Sequence, residues 1–277
     1  MRNSLFSPSY GFGIVWFPKC ACSMLRRFFF HLHVTEEFLR RHPRTSFHTI
    51  QHLTPYQFRP GQHYDTIHFF FRDPFARILS TFYGKHVLQT RDRLYKKSVA
   101  YMRFLVYLDQ YNRTHSFYEF VRYLYLGHSI DEHDRPCVSQ IPSDLPGATT
   151  YLVWRVDSPQ FHASFQEHFQ ELCSGFDLEV PYNKIPYSLP LDTHEKVYEW
   201  SVFQLERFYE KTKTLPCLED MFSVNLSYMI RTIYSRDYRV LQSMETSSSP
   251  VMRLSSLHPL FSCENDSAHQ TTRQKTQ

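Results

Sequence analysis

The sequence lacks several features that mark familiar classes of protein. Only seven of its 277 residues are glycine, which leaves little material for long flexible loops. No stretch approaches the roughly 20 consecutive apolar residues that a membrane-spanning helix needs. The opening "MRNSLFSPSYGFGIVWFPK" does not have the charged, apolar and small-residue regions of a secretory signal peptide. These absences predict a globular protein without a membrane span.

Cysteine is scarce as well. Six cysteines in so long a chain do not form the dense framework of a small disulfide-bonded domain, and none stand in the CxxC pairs typical of structural zinc sites. We therefore expect no metal, and thiols that are free or buried. A GxxxxGK[ST] motif is also missing, which argues against phosphoryl transfer from a nucleoside triphosphate by a P-loop enzyme.

What the composition does contain is enough apolar material for one sizeable core. Hydrophobic residues make up 42% of the chain and aromatic residues 17%, as in a globular domain. The formal net charge of +4 suits an anionic ligand without requiring nucleic acid. We predict a single domain over residues 1–243, followed by a polar tail without periodicity over residues 244–277, which we expect to be disordered.

Short apolar runs alternate with helical patterns in the first part of the domain. The apolar runs, which we interpret as buried strands, span 13–17, 66–71 and 151–156, and the helical patterns that follow them begin at residues 23, 74 and 159. Further helical patterns cover 101–126 and 193–212. Such alternation predicts an α/β fold with a parallel sheet flanked by helices.

The segment "PKCACS", residues 18–23, follows the first predicted strand and leads into a predicted helix. A strand, a tight loop and a helix N-terminus bring unpaired backbone N–H groups and the positive end of a helix dipole to one point. Lys19 adds a full charge there, and Ser23 adds a hydroxyl at the helix cap. Taken alone, the motif also fits a surface lysine and an ordinary N-cap serine. The residues that we expect at an anion site are Lys19, Cys20, Ala21, Cys22, Ser23 and Met24.

The second motif is "RDPFARILSTFY", which begins where the second predicted strand ends. Ligand sites of open α/β sheets lie at such strand ends, and Arg72 offers a planar fork of donors that matches a phosphate. Ser80, on the following helix beside its apolar stripe, is placed to add a hydroxyl. The alternative is that Arg72 only pairs with Asp73. We expect Arg72 and Ser80 to bind a phosphate group.

Together, the two motifs resemble those of the sulfotransferases that use 3′-phosphoadenosine 5′-phosphosulfate (PAPS), most closely the Golgi carbohydrate sulfotransferases of the chondroitin and dermatan type. "DEHDRP", residues 131–136, followed by Gln140, is similar to their DEHW-x-P-Q segment, although Asp134 stands where tryptophan is usual. "IRTIYSRDYRVL", residues 230–241, looks like their closing helix, which carries a Tyr-x-x-Asp-[FY] signature. The likeness reaches from about residue 11 to residue 243.

The resemblance implies a sulfotransferase fold, with a P-loop-like parallel sheet, and transfer of a sulfuryl group from PAPS to a hydroxyl of a glycan or similar acceptor. It assigns the donor's 5′-phosphosulfate to the "PKCACS" loop and its 3′-phosphate to Arg72 and Ser80. Two alternatives stay open: an inactive nucleotide-binding protein of the same fold, and a phosphoryl-transferring P-loop enzyme. The resemblance points to the Golgi lumen, whereas a chain that is complete as given would be cytoplasmic.

The catalytic base is open between several residues. Related sulfotransferases use a glutamate or a histidine, and the segment "FHTIQH" before the second predicted strand contains His48 and His52. His133 in "DEHDRP" is another candidate, and Glu36 or Glu37 is a third. A neutral histidine suits proton abstraction near pH 7.

Basic and aromatic residues are frequent between positions 85 and 113. These residues are expected to line a groove for the acceptor, where tyrosines stack on sugar rings and basic side chains attract an acidic glycan; the alternative is a solvated helix face. The basic residues in question are Arg91, Arg93, Lys96 and Lys97.

Overall fold

A mixed five-stranded sheet lies at the centre of the computed structural model, which describes residues 3–41, 46, 49–53, 56–57, 61–88, 98–141, 145–172, 174–176, 186–245, 249–254 and 256. The strands, in their order across the sheet, are β1 (Ser4–Ser7), β2 (Phe12–Trp16), β3 (His63–Phe71), β4 (Gly147–Arg155) and β5 (Val251–Leu254). Strands β2, β3 and β4 run parallel, whereas β1 and β5 pair antiparallel at the two edges.

Helices cover the sheet and form a second layer of packing beside it. They are α1 (Cys22–His33), α2 (Glu36–Arg41), α3 (Pro74–Phe82), α4 (Val99–Gln110), α5 (Phe117–Tyr125), α6 (Phe161–His168), α7 (Val202–Thr212), α8 (Val224–Ile233) and α9 (Ser235–Glu245). A π-helical turn, Tyr83–Val87, directly continues α3. Among the described residues, no helix is both long and apolar enough to cross a membrane.

The predicted α/β fold is confirmed, with one correction to the sheet. The three predicted strands are the parallel centre, β2 to β4, and their continuous apolar runs suit strands that are buried on both faces. The expectation of a wholly parallel sheet is wrong at both edges. Strands β1 and β5 are four residues long, too short to show an alternation in the sequence, so only their pairing with a neighbour defines them.

The last part of the described chain also differs from the expectation. Residues 251–254 fall in the predicted disordered tail, yet they form β5 and pair with Tyr151–Trp154 of β4. The sequence there, "VMRL", follows a serine-rich stretch and carries no turn signal of its own. The expectation of disorder is therefore wrong for this strand.

Two predicted helices also have different limits. The pattern over 193–212 becomes α-helical only at Val202, because Ser201 and Gln204 form a capping box there. The predicted closing helix over 230–241 is divided at Tyr234 between α8 and α9. By contrast, Pro74 opens α3 as predicted, after the N-cap Asp73.

Three hydrophobic clusters hold these layers together. Helices α1 and α6 pack on one face of the sheet through Phe28 and Phe165, whereas α9 packs on the other face through Val240. A third cluster joins α3, α4, α5, α7 and α8 around Phe82 and Phe104. Strands β2 and β3 are adjacent and parallel, so their carboxyl ends lie side by side. Helices α1 and α3 therefore both start at that end of the sheet.

His33, in the last turn of α1, lies among aromatic rings. Its ring centroid is 4.3 Å from that of Phe29, 4.8 Å from Tyr56 and 5.5 Å from Tyr10. Its Nε2 is buried without a hydrogen-bond partner among the described residues. Burial lowers the pKa of His33 to about 4, since a charged imidazole is poorly solvated there.

Replacing His33 with phenylalanine should make the protein more tolerant of acid. The folded pKa lies below the ordinary value of about 6.5, so His33 contributes stability above that value and loses it as the pH falls towards about 4. We expect His33→Phe to lose less free energy of unfolding over this range than the unaltered protein, by on the order of 1 to 3 kcal/mol. Urea denaturation at several pH values measures the difference.

The matched control is His162→Phe, which replaces an exposed histidine on α6. If both variants lose the same free energy between neutral and acid pH, His33 is not a source of acid sensitivity.

Candidate active site

The loop between β2 and α1 makes a tight turn through two left-handed residues. Lys19 has a φ of 67° and Ala21 a φ of 56°, a conformation that non-glycine residues adopt at a cost and usually for a reason. The Cys20 N–H donates to the Phe17 carbonyl at 3.0 Å and closes the turn. The chain thereby reverses direction and delivers Lys19 to the start of α1.

Helix α1 begins without a side-chain cap. Its N-cap is Ala21, which makes no side-chain capping bond, and Ser23 is the second helical residue rather than the cap that we expected. Since the first N–H groups of a helix have no partner within it, those of Cys22, Ser23 and Met24 are directed towards the loop. This is the arrangement that binds anions at helix N-termini.

Cys20 contributes its backbone to the loop but not its thiol. Its side chain is fully buried in the cluster beneath the sheet, together with that of Cys137. Cys20, Cys22, Cys137 and Cys217 are free thiols, as expected, whereas Cys173 and Cys263 lie outside the described residues.

Lys19 lies in a half-buried position among other charges. Burial lowers the pKa of Lys19, and the charges of Lys85 and Arg72 lower it further. Cys22 and Asp131 act in the opposite sense. The structure therefore brings three cations within electrostatic reach of one another, and such a concentration of like charge favours an anionic ligand.

The lysine side chain occupies space that is available only beside a glycine. A Cβ atom added to Gly84 would lie 2.8 Å from Lys19 Nζ. Gly84 belongs to the π-helical turn after α3, and π-helical turns are frequent at functional sites. This turn also carries Lys85, so one irregular turn both makes room for Lys19 and adds a second cation.

Arg72 follows the last residue of β3, at the position that the sequence predicts. Its Nη1 donates to the Lys19 carbonyl at 3.4 Å. Its guanidinium also lies near Tyr187: burial raises the pKa of that hydroxyl, and the charge of Arg72 acts to lower it. If Arg72 had a purely structural role, we would expect it to pair with Asp73. Asp73 instead caps α3 by accepting the Ala76 N–H at 2.9 Å. Arg72 is thus attached to the Lys19 loop itself.

Arg77 and Ser80 of α3 face different ways. Ser80 is half-buried and lies four residues before Gly84, so both are on the side of the helix that faces the Lys19 loop. Arg77 is fully buried and donates to the carbonyls of His133 and Arg135 at 3.3 and 2.7 Å. Ser80 therefore lies on the same side of α3 as Gly84, whereas Arg77 belongs to the core.

His133 pairs with a carboxylate beside the same cluster. Its Nδ1 is 3.0 Å from Asp131 Oδ1, which also accepts the His133 N–H at 2.7 Å. Lys85 Nζ is 4.0 Å from Asp131 Oδ2. Burial raises the pKa of Asp131, but the bonds and charges of His133 and Lys85 outweigh it, and the net effect lowers the pKa. With Nδ1 as the donor to the ionised Asp131, Nε2 is the ring nitrogen of His133 that can accept a proton.

His52 is placed elsewhere. Its exposed side chain ends the 3-10 turn Ile50–His52, whose Ile50 is buried in the cluster that contains Phe28 and Phe29 of α1. Tyr56, just after this turn, packs on Phe29 and His33 in the last turns of α1. A helix of this length carries that end on the order of 15 Å from its N-terminus. The structure therefore groups His133, and not His52, with the cations.

The remaining candidates are either remote or not described. Glu36 and Glu37 begin α2, where Glu37 pairs with Arg41 in the same helix. Outside the described residues lie His48, Arg91, Arg93, Lys96 and Lys97, so their assignments stay predictions.

Sequence reasoning missed three residues of this cluster, Gly84, Asp131 and Tyr187, and it placed Lys85 in the segment expected to line the acceptor groove. Two of them had a usable signal, because Gly84 lies one turn after Ser80 and Asp131 lies two residues before His133. Tyr187 had none, since it comes from a segment more than a hundred residues after Arg72.

Comparison with known proteins identifies the family of the chain. The model of the sulfotransferase family matches residues 2–242, nearly the whole length. The chain belongs to the sulfotransferase family. No curated protein and no solved structure matched it. Members of the family transfer sulfuryl groups, which implies a sulfate donor and a hydroxyl-bearing acceptor for this sulfotransferase.

Gly84→Ala tests whether the position of Lys19 matters to this sulfotransferase. The new methyl group would meet the end of a flexible side chain, so we expect Lys19 to move at little cost in stability, the more so because alanine favours a helix over glycine. Sulfate transfer should fall by about 10-fold or more, since small displacements of reacting groups are costly. Initial rates and the melting temperature measure the two effects.

A Lys19→Ala variant is the reference in the same assay. We expect its rate to fall on the order of 100-fold or more. A Gly84→Ala variant with full activity and an unchanged melting temperature would show that Lys19 Nζ does not need this position.

Proposed function

We propose that the protein is an O-sulfotransferase that transfers the sulfuryl group of PAPS to a hydroxyl of a carbohydrate or similar acceptor. The observation that carries the proposal is the cluster of Lys19, Arg72 and Lys85 at the uncapped start of α1. Family membership supports sulfuryl transfer, and the cation cluster supports a donor with several negative charges.

The donor set fits PAPS on two counts. The N–H groups at the start of α1, together with Lys19, suit the 5′-phosphosulfate. Arg72 and Ser80 suit the 3′-phosphate, because a guanidinium binds phosphate through two parallel hydrogen bonds. When bound, PAPS supplies the sulfuryl group and a 5′-phosphate leaving group. The chain supplies the donor to the leaving group and the base for the acceptor hydroxyl.

Lys19 would act on the leaving group. Negative charge grows on the oxygen that bridges sulfur and the 5′-phosphate, and a donor already aimed at that oxygen lowers the barrier. Burial lowers the pKa of Lys19, which makes its ammonium a stronger acid and a readier donor of a proton or hydrogen bond.

His133 would remove the proton from the acceptor hydroxyl. Asp131 holds its Nδ1–H, so Nε2 takes the proton and the resulting imidazolium keeps a carboxylate partner. His52, which the sequence also suggested, is exposed at the end of the Ile50–His52 turn, and His48 lies outside the described residues. We therefore assign the base to His133.

The direct test is to titrate PAPS and then assay sulfate transfer to a panel of acidic and neutral glycans. Transfer that requires PAPS supports the proposal. Binding without transfer to any acceptor would favour an inactive nucleotide-binding protein, and an absence of PAPS binding would overturn the assignment of the donor.

Arg72→Ala should weaken binding of adenosine 3′,5′-bisphosphate, the desulfated donor, much more than binding of adenosine 5′-phosphate. Only the first ligand carries the 3′-phosphate that Arg72 is proposed to bind. A charged hydrogen bond contributes roughly 1.5 to 3 kcal/mol, which corresponds to about 10-fold to 100-fold in the dissociation constant. Isothermal calorimetry with both ligands measures the difference.

Arg122→Ala removes an arginine of α5 that pairs with Glu119 at 3.7 Å and serves as the control. Equal losses for the two ligands in Arg72→Ala would mean that Arg72 supports the loop rather than reading the 3′-phosphate.

His133→Ala should abolish most of the turnover while leaving donor binding intact. The base acts only when the hydroxyl attacks, so the rate should fall by roughly 100-fold or more. In the unaltered protein the rate should decline in acid, because a protonated imidazole cannot accept a proton, and this decline should be absent from the residual activity of the variant. Initial rates across a pH series provide the readout.

His52→Ala is the comparison variant, and we expect it to keep nearly the full rate. If His52→Ala is inactive and His133→Ala is active, the base is His52 and the donor site is unaffected by that result.

A further inference from the structure

The loop that carries His133 is held by side chains from distant parts of the chain. The structure assigns Arg77, Tyr234 and Asp237 as positioning residues, which hold residues 131–138 so that the Asp131–His133 pair stays within reach of Lys19. This inference rests on the proposed role of His133. None of the three side chains lies in the cation cluster, because all are fully buried behind the loop.

Buried side chains hold the loop through hydrogen bonds to its backbone carbonyls. The His133 carbonyl accepts from Arg77 Nη1 at 3.3 Å and from Thr81 Oγ1 at 3.2 Å. The Asp134 carbonyl accepts from the Tyr234 hydroxyl. The Arg135 carbonyl accepts from Arg77 Nη2 at 2.7 Å. Three consecutive peptide groups are therefore fixed by buried side chains, with the base at the first of them.

Asp237 fixes the end of the loop. Its carboxylate accepts the N–H groups of Cys137 and Val138 at 2.7 and 2.9 Å. It also lies 3.9 Å from Arg77 Nη2, and the Arg77 guanidinium stacks on the Tyr234 ring at 5.1 Å. The three positioning residues thus contact one another as well as the loop.

The loop also fixes itself from within. Asp134 is buried and accepts from Ser129 Oγ at 2.6 Å and from the Ile130 N–H at 2.7 Å. Gln140 Nε2 donates to the carbonyls of Glu132 and Arg135 at 3.0 and 2.9 Å. Because both ends of the turn are closed internally, movement of the loop requires it to move as a unit against Arg77 and Asp237.

Arg77 connects the loop of His133 to α3, and this connection is why the network matters for catalysis. Arg77 lies on the same short helix as Ser80 and five residues after Arg72. The helix that is proposed to hold the donor's 3′-phosphate therefore also holds the loop of the base. A rigid link of this kind keeps donor and base at a constant separation, as an in-line attack requires.

Tyr234→Phe is the first test, since it removes one hydroxyl and keeps the ring under Arg77. We expect kcat to fall by about 10-fold or more, while the dissociation constant of adenosine 3′,5′-bisphosphate changes by less than about 2-fold. The decline of the rate in acid should persist, because His133 is still the base. A wild-type kcat, or an equal loss in donor binding, would overturn the proposal.

Asp237→Asn is the second test, read by amide hydrogen exchange, which does not depend on activity. Asparagine leaves only one carbonyl oxygen for the N–H groups of Cys137 and Val138, so we expect exchange in the 129–138 segment to rise by about 10-fold or more. Unchanged exchange there would overturn the proposal even if transfer is lost.

The matched control is Asp220→Asn. Asp220 also accepts two backbone N–H groups, those of Leu191 and Cys217, at 2.9 and 3.2 Å. We expect this variant to lose a comparable bond without faster exchange in 129–138 and without a selective fall in kcat; the same changes in both aspartate variants would mean general loosening. A native protein that transfers no sulfate refutes the proposed function, and the exchange result still tests the network.

Discussion

The parallel pairing of β2 with β3 is the constraint on which the candidate site depends. In this register Trp16 lies opposite Phe70, so the carboxyl ends of the two strands lie side by side. The loop after β2 therefore meets the residue after β3. The bond from Arg72 to the Lys19 carbonyl follows directly from that pairing. A slip of one residue would turn the alternate side chains of the shifted strand to the wrong faces, and the cations would separate.

The site then concentrates positive charge at a half-buried position. Repulsion between Lys19, Arg72 and Lys85 opposes folding, and Asp131 offsets only part of it. The uncapped helix start adds the positive end of a dipole to the same point. A bound anion relieves this repulsion, so the features that destabilise the free protein favour the binding of an anionic ligand.

Helix α3 shows how one short element serves two tasks. Its half-buried face carries Ser80 beside the cations, and its buried face carries Arg77 into the loop of His133. A buried guanidinium is tolerated only when it is well paired. Asp237, Tyr234 and two carbonyls of the loop provide partners for Arg77, although its Nε has no hydrogen-bond partner among the described residues. Removing one of them leaves the others poorly satisfied, so the network is expected to respond as a unit.

The features that the sequence alone predicted correctly are local ones. Continuous apolar runs identified β2, β3 and β4, the helical spacing identified α1 and α3, and the "PKCACS" and "RDPFARILSTFY" motifs located Lys19 and Arg72. These features are encoded in neighbouring residues, because helix and strand periodicity and the position of a residue at a strand end depend on short stretches of chain.

The tertiary structure alone decided which remote residues join them. It paired His133 with Asp131 beside Lys19, brought Tyr187 to Arg72, and turned Arg77 away from the ligand side towards Asp237. It also gave β5 its pairing with β4. The His133–Asp131 bond joins residues that are two apart, but its place beside Lys19 and the other contacts are not encoded in a local pattern. They join segments whose approach depends on how the whole sheet and its helices pack.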